Sequence, residues 1–178
     1  MNARVQASFI AIPFLAKQAH LGAQGFGLMN MGIGIGGAVA AGYFAFVRIK
    51  NPTPRMTFTA CFVEGLAFIG LTLARDLWLL VGMMLLVGIM EAVVNTIAPS
   101  VNQEIIPPHM IGRVIGFMMV SGSEPLARAV SGSFIQWTGV TALLICSGVL
   151  EIIVAIIGFY MPAVRNYSCE RQRVSAHN

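Results

Sequence analysis

Five long apolar runs, at about 25–47, 56–74, 77–98, 113–136 and 140–161, take up most of this 178-residue chain. A helix rises about 1.5 Å per residue, so roughly 20 apolar residues cross about 30 Å of hydrocarbon. Each run meets that demand. The segments between them are short and carry turn chemistry: Asn51-Pro52-Thr53-Pro54, Arg75-Asp76, Pro107-Pro108 and Trp137-Thr138-Gly139. Short connections between long helices make neighbours antiparallel. A further apolar segment at about 3–17 is too short to span and reads as a partial span, the second half of a helix. Residues 163–178 read as a polar tail without fixed structure. The expected fold is an all-α, polytopic helical membrane bundle.

A soluble fold is excluded by charge. Only 10% of the residues are charged and 57% are hydrophobic, against roughly a quarter charged in soluble domains; mean hydropathy is +0.79. Too few charges remain to coat a water-facing surface. The net charge of +4 sits in short loops, with no basic stripe interleaved with aromatics, so no nucleic-acid partner is indicated. Cys61, Cys146 and Cys169 are widely spaced and odd in number, which suggests neither a disulfide framework nor a zinc site. His20, His109 and His177 form no ligand pair, and no nucleophile–base spacing is present. Metal, cofactor and enzyme chemistry are therefore not expected.

Arg48, Lys50, Arg55, Arg113, Arg165, Arg171 and Arg173 fall on one side of the spans, and only Lys17 and Arg75 on the other. Positive charge marks the cytoplasmic side, so the expected location is the inner (plasma) membrane with the C-terminus inside.

Gly32-Ile-Gly34-Ile-Gly36-Gly37 formally fits a G-x-G-x-x-G nucleotide pattern, but it lies inside an apolar helix with no acidic residue about 20 positions on. Close helix packing explains it better. Gly32 and Gly36 are one turn apart, with Ala40 a turn further, and Gly112 and Gly116 repeat the device. The eleven methionines, Met83-Met84 and Met118-Met119 among them, are flexible fillers of either a pocket or helix contacts.

Glu64, Glu91, Glu124, Glu151 and Arg128 fall inside the spans. A charge at the bilayer centre costs roughly 2.5–3.5 kcal/mol on insertion scales, so these groups must pair, be neutral or face a polar cavity. Gly88, Glu91, Asn95 and Pro99 share one helix face, and so do Ser121, Glu124, Arg128 and Ser131. Glu124 and Arg128 are i and i+4 in the favourable order, and Pro125 cannot donate to the Ser121 carbonyl. That pair either lines a pathway or joins helices internally. Glu64, and Glu151 with Gly148, Ala155 and Gly158, read as packing positions. Glu91, Asn95, Glu124 and Arg128 are the candidates for a substrate or proton pathway.

The stretch "APSVNQEIIPPHMIGRVIGF", with Pro99, Gln103, Pro107, Gly112-Arg113-Val114 and Gly116, followed by Pro125-Leu126 and Gly132, resembles a known family. It is similar to the C-terminal half (helices seven to twelve, the seventh truncated) of a major facilitator superfamily transporter, of the bacterial drug and siderophore exporter branch. The resemblance runs from about Ile12 to Pro162. It implies proton-coupled antiport that effluxes amphipathic small molecules, as in multidrug resistance, with an N-terminal half supplied by a missing or separate segment. It further implies that Glu91 and Asn95 face the central cavity and that Glu124 and Arg128 lie near the interface or pathway. The glycine faces at 32–40 and 112–116 would contact the other half. A non-transporting membrane interaction or assembly subunit, using those glycine faces, is the alternative.

Overall fold

The computed structural model describes residues 12–17, 22–47, 53–74, 76–105, 109–110, 112–113, 116, 124–161 and 164. Among them there is no strand. Four helices carry the fold: α1 (Gly22–Phe46), α2 (Pro54–Leu73), α3 (Leu77–Ile105) and α4 (Glu124–Tyr160). Their segments Gly22–Phe46, Pro54–Leu73, Leu77–Val101 and Trp137–Tyr160 are each long and apolar enough to cross a membrane. The run expected at 113–136 lies largely outside the residues described with side chains, and the tail from 165 onward lies outside them altogether.

Local chemistry sets the helix ends. Thr53 is extended (φ −115°, ψ 142°) and Pro54 opens α2, where its missing N–H costs nothing because first-turn donors have no helical partner. At the other end the Ala74 amide donates to the Gly70 carbonyl (3.1 Å), and the Leu80 amide donates to Asp76 (3.0 Å). These bonds close the last turn of α2 and the first turn of α3. α4 is broken at Gly139, whose φ of 82° and ψ of 166° are not helical. That region is open essentially to glycine alone, so Trp137-Thr138-Gly139 marks the start of the last span.

Among the described helices the main contacts are α1 on α3, α2 on α3 and α2 on α4. The first is parallel, because Gly32 of α1 meets Val81 of α3, and Gly36 meets Leu85 and Ile89 further along. The third is antiparallel, because Gly65 of α2 meets Gly148 and Ile152 of α4, whereas Phe58 meets Gly158. α1, α3 and the last span therefore run one way and α2 the other.

Two apolar clusters form the core. The larger joins Met29 of α1, Phe68 and Leu71 of α2, Leu80 and Met84 of α3 and Leu144 of α4, and it receives Ile12, Leu15 and Ala16 from the helical segment 12–17. The smaller joins Ala60, Cys61, Val94 and Ala155. Trp78 and Trp137 are largely exposed near one end of the bundle, and Tyr43, Phe46 and Tyr160 near the other. Amphipathic aromatics at both ends of apolar helices match the two belts of a bilayer-spanning protein.

Candidate functional site

Between the two apolar clusters lies a layer of carboxyl side chains. On α2, Glu64 stands between Cys61 and Ala67-Phe68; on α4, Glu151 stands between Leu144 and Ala155; on α3, Glu91 stands between Val87 and Val94. Glu64 is nine residues from Arg55, and Glu151 nine from Tyr160, which places both about 14 Å from that end of the bundle. Glu91 is thirteen residues from Trp78, and Glu151 fourteen from Trp137, or about 20 Å from the opposite end. The layer is close to mid-depth.

The three glutamates differ in access. Glu64 is 2% exposed and Glu151 5%; Glu151 stands at the α2–α4 crossing. A Cβ placed on Gly65 would stand 2.8 Å from the Gly148 carbonyl oxygen and 3.4 Å from Glu151 Cβ. Glycine at both crossing points brings the two backbones into contact and carries Glu151 to the level of Glu64. Glu91 is only half-buried, and on the same helix Asn95, Thr96, Pro99 and Ser100 are exposed. Pro99 has no N–H to give the Asn95 carbonyl. The Thr96 hydroxyl donates to the Ala92 carbonyl (2.8 Å) and the Ser100 hydroxyl to the Thr96 carbonyl (2.9 Å). This end of α3 is polar and accessible.

The stripe expected on α3 is therefore divided. Gly88 is buried, with the Ile33 backbone of α1 lying where its Cβ would be, whereas Asn95 and Pro99 lie on the open side. Glu124, Pro125, Arg128, Ser131 and Gly132 belong to α4 by their backbone, and Gln103 to α3, but their side chains lie outside the described residues, as do Ser121 and Pro107 altogether. Arg113 is exposed.

One expectation is corrected. Gly32 and Gly36 do not present a face to a helix outside this chain. They are buried against α3: a Cβ on Gly32 would stand 2.9 Å from the Val81 carbonyl, and one on Gly36 would strike the Leu85 carbonyl. The apolar spacing alone could not say which neighbour fills that face. The small-residue face that α1 leaves open is a different one: Gly27, Gly34, Ala38, Ala41 and Ala45 are exposed. Gly112 and Gly116 are also exposed, with no described atom within 4 Å of a Cβ placed on either. A further contact was not legible in the sequence. The Arg55 guanidinium carbon lies 5.9 Å from the Phe159 ring centroid, tying the start of α2 to the end of α4.

A family model described as transmembrane secretion effector, from the major facilitator superfamily, matches residues 3–177. The chain belongs to that family. It is also similar to the mouse (Mus musculus) protein solute carrier family 2, facilitated glucose transporter member 8, at 32% identity over 113 residues. That alignment covers 60% of this chain and 23% of the mouse protein. No solved structure matches. Long apolar helices are the form such a multi-pass membrane protein requires, because backbone groups in lipid must be satisfied within each segment.

Proposed function

We propose that this chain is half of a transporter, corresponding to helices seven to twelve, and that it takes part in proton-coupled efflux of amphipathic small molecules. The observation that carries the reading is the open α3 face: a half-buried carboxyl, Glu91, at mid-depth, continuing into exposed Asn95 and Pro99. A carboxyl there can exchange a proton with a water-filled cavity, and an apolar surround with few polar groups suits an amphipathic substrate. Membership of a family of membrane secretion effectors supports transport. Alternating access needs two halves moving about a midplane site, and the relative is more than four times the length that aligns with this chain. The exposed small-residue face of α1 is where we place a helix of the other half, in place of the Gly32 and Gly36 face.

We place the Arg55 end of the bundle in the cytoplasm of a cell that carries this protein in its inner (plasma) membrane. Support comes from helix direction: α1 and α3 finish at the end where α2 begins with Arg55. Glu124 and Arg128 are proposed as the charged pair that responds to the proton on the pathway.

The test is co-reconstitution with a matching N-terminal half in proteoliposomes bearing a pH gradient. Glu91→Gln should flatten the pH dependence of substrate flux, and so should Glu124→Gln. Unchanged profiles in both variants would remove these residues from coupling. Full-rate transport by this chain alone would remove the half-transporter reading.

A further inference from the structure

The three helix contacts are not alike in kind. α1 and α3 meet backbone to backbone. Gly32 sits on the Val81 carbonyl, Gly36 on the Leu85 carbonyl, and Gly88 of α3 on the Ile33 backbone of α1. Each helix thus inserts its main chain into the other at glycine. A slide that moved Ile33 off Gly88 would set main chain against a side chain of α3, and close-packed contacts of this sort have discrete rather than graded positions.

α2 and α4 are pinned at two separate depths. At mid-depth Gly65 and Gly148 are reciprocal: a Cβ on Gly148 would stand 2.7 Å from the Gly65 carbonyl, matching the 2.8 Å of the converse test. Nearer the Arg55 end, the Phe58 ring lies over Gly158, and Arg55 lies over Phe159. Two contacts some seven residues apart along α2, about 10 Å, oppose both sliding and pivoting.

The contact between α2 and α3 has neither feature. Its side chains share the two apolar clusters: Ala67, Phe68 and Leu71 with Leu80, Met84 and Val87 in one, and Ala60 and Cys61 with Met90 and Val94 in the other. Its one glycine among the described residues, Gly70, faces the Met83 thioether (Cε 3.2 Å, Sδ 3.4 Å from a placed Cβ), the flexible end of the most adaptable apolar side chain.

The geometry points to the four described helices being built as two rigid pairs, α1 with α3 and α2 with α4, which shear against each other along the α2–α3 seam. Rotamer changes of Met83, Met84 and Met90 accommodate the shear. The inference concerns the chain itself and holds whether or not it transports.

The test uses spin labels at four exposed positions, Val39 on α1, Leu66 on α2, Leu79 on α3 and Ile157 on α4. They are introduced two at a time by cysteine in the full chain with its native cysteines replaced, reconstituted in phosphatidylcholine vesicles. Val39–Leu79 and Leu66–Ile157 report within pairs; Val39–Leu66 and Leu79–Ile157 report across the seam. Every label contributes once to each class, so label rotamers cancel from the comparison. The cross-seam distance distributions should be about twice as wide as the within-pair ones, or double-peaked, as expected for helix shifts of 1–2 Å and more. Equal widths in both classes, narrow or broad, overturn the proposal. So does a within-pair distribution wider than the cross-seam ones.

Discussion

Replacing Gly65 with alanine tests the crossing that holds the buried glutamates. The added methyl would stand 2.8 Å from the Gly148 carbonyl oxygen and 2.9 Å from Ile152 Cγ1. A carbon and a carbonyl oxygen rest at about 3.3–3.6 Å, so α2 and α4 must part locally by about half an ångström or more. One of the two obstacles is backbone and cannot rotate away. Overpacking of this kind costs about 1–3 kcal/mol. Alanine also favours a helix over glycine by up to about 1 kcal/mol, so the informative quantity is a difference. Gly34→Ala on α1 carries the same helix gain with nothing within 4 Å of the new methyl. Gly65→Ala should therefore unfold about 1–3 kcal/mol more easily than Gly34→Ala, measured by denaturant titration of helical signal in mixed micelles. Gly148→Ala meets the Gly65 carbonyl at 2.7 Å and should behave alike. Because the first methyl already parts the helices, the double variant should cost less than the two single effects added, as neighbours sharing one contact do. Stability of Gly65→Ala equal to Gly34→Ala, or strict additivity in the double variant, would refute the described crossing.

Three other outcomes follow from single positions. Gly139→Ala meets no atom within 4 Å, yet φ of +82° with ψ of 166° is hostile to any side chain; a loss of about 1–3 kcal/mol in the same titration would separate backbone strain from crowding. Gly70→Ala, facing only the movable end of Met83, should be neutral to stabilising by up to about 1 kcal/mol, whereas Gly88→Ala, facing the Ile33 backbone, should be clearly destabilising; thermal melts of the two variants side by side decide it. Arg55→Gln should cost about 0.5–1 kcal/mol through loss of the cation over Phe159, and in a Phe159→Leu background the same substitution should cost almost nothing.

Much of the architecture could be read from residue order because lipid is an undemanding solvent to reason about. Each apolar run has to satisfy its own backbone, so run length translates directly into helices such as Pro54–Leu73 and Leu77–Val101. Glycine at 139 beside Trp137 likewise signals a break without tertiary information. The site was less legible. Glu91, Asn95 and Pro99 share a face by spacing alone, but only packing against α1 shows that Gly88, one turn earlier on that face, is closed off. The Arg55–Phe159 contact joins residues a hundred positions apart, and no local pattern encodes such a pairing.

By itself the order of residues determined what the described spans do locally: form helices long enough to cross, turn at Pro54 or Gly139, and place a glutamate near the middle of α2, α3 and the last span. These depend on hydropathy, proline and glycine geometry and the rise of a helix, which are properties of neighbours in sequence. Only the tertiary structure decided which small face meets which neighbour. Gly32 and Gly36 could have served any helix, and they serve α3; Gly65 and Gly148 serve each other and bring Glu151 against α2, while Glu91 remains half open. A helix surface carries several faces that lipid solvates almost equally well, so the choice among them rests on the fit of two complete backbones.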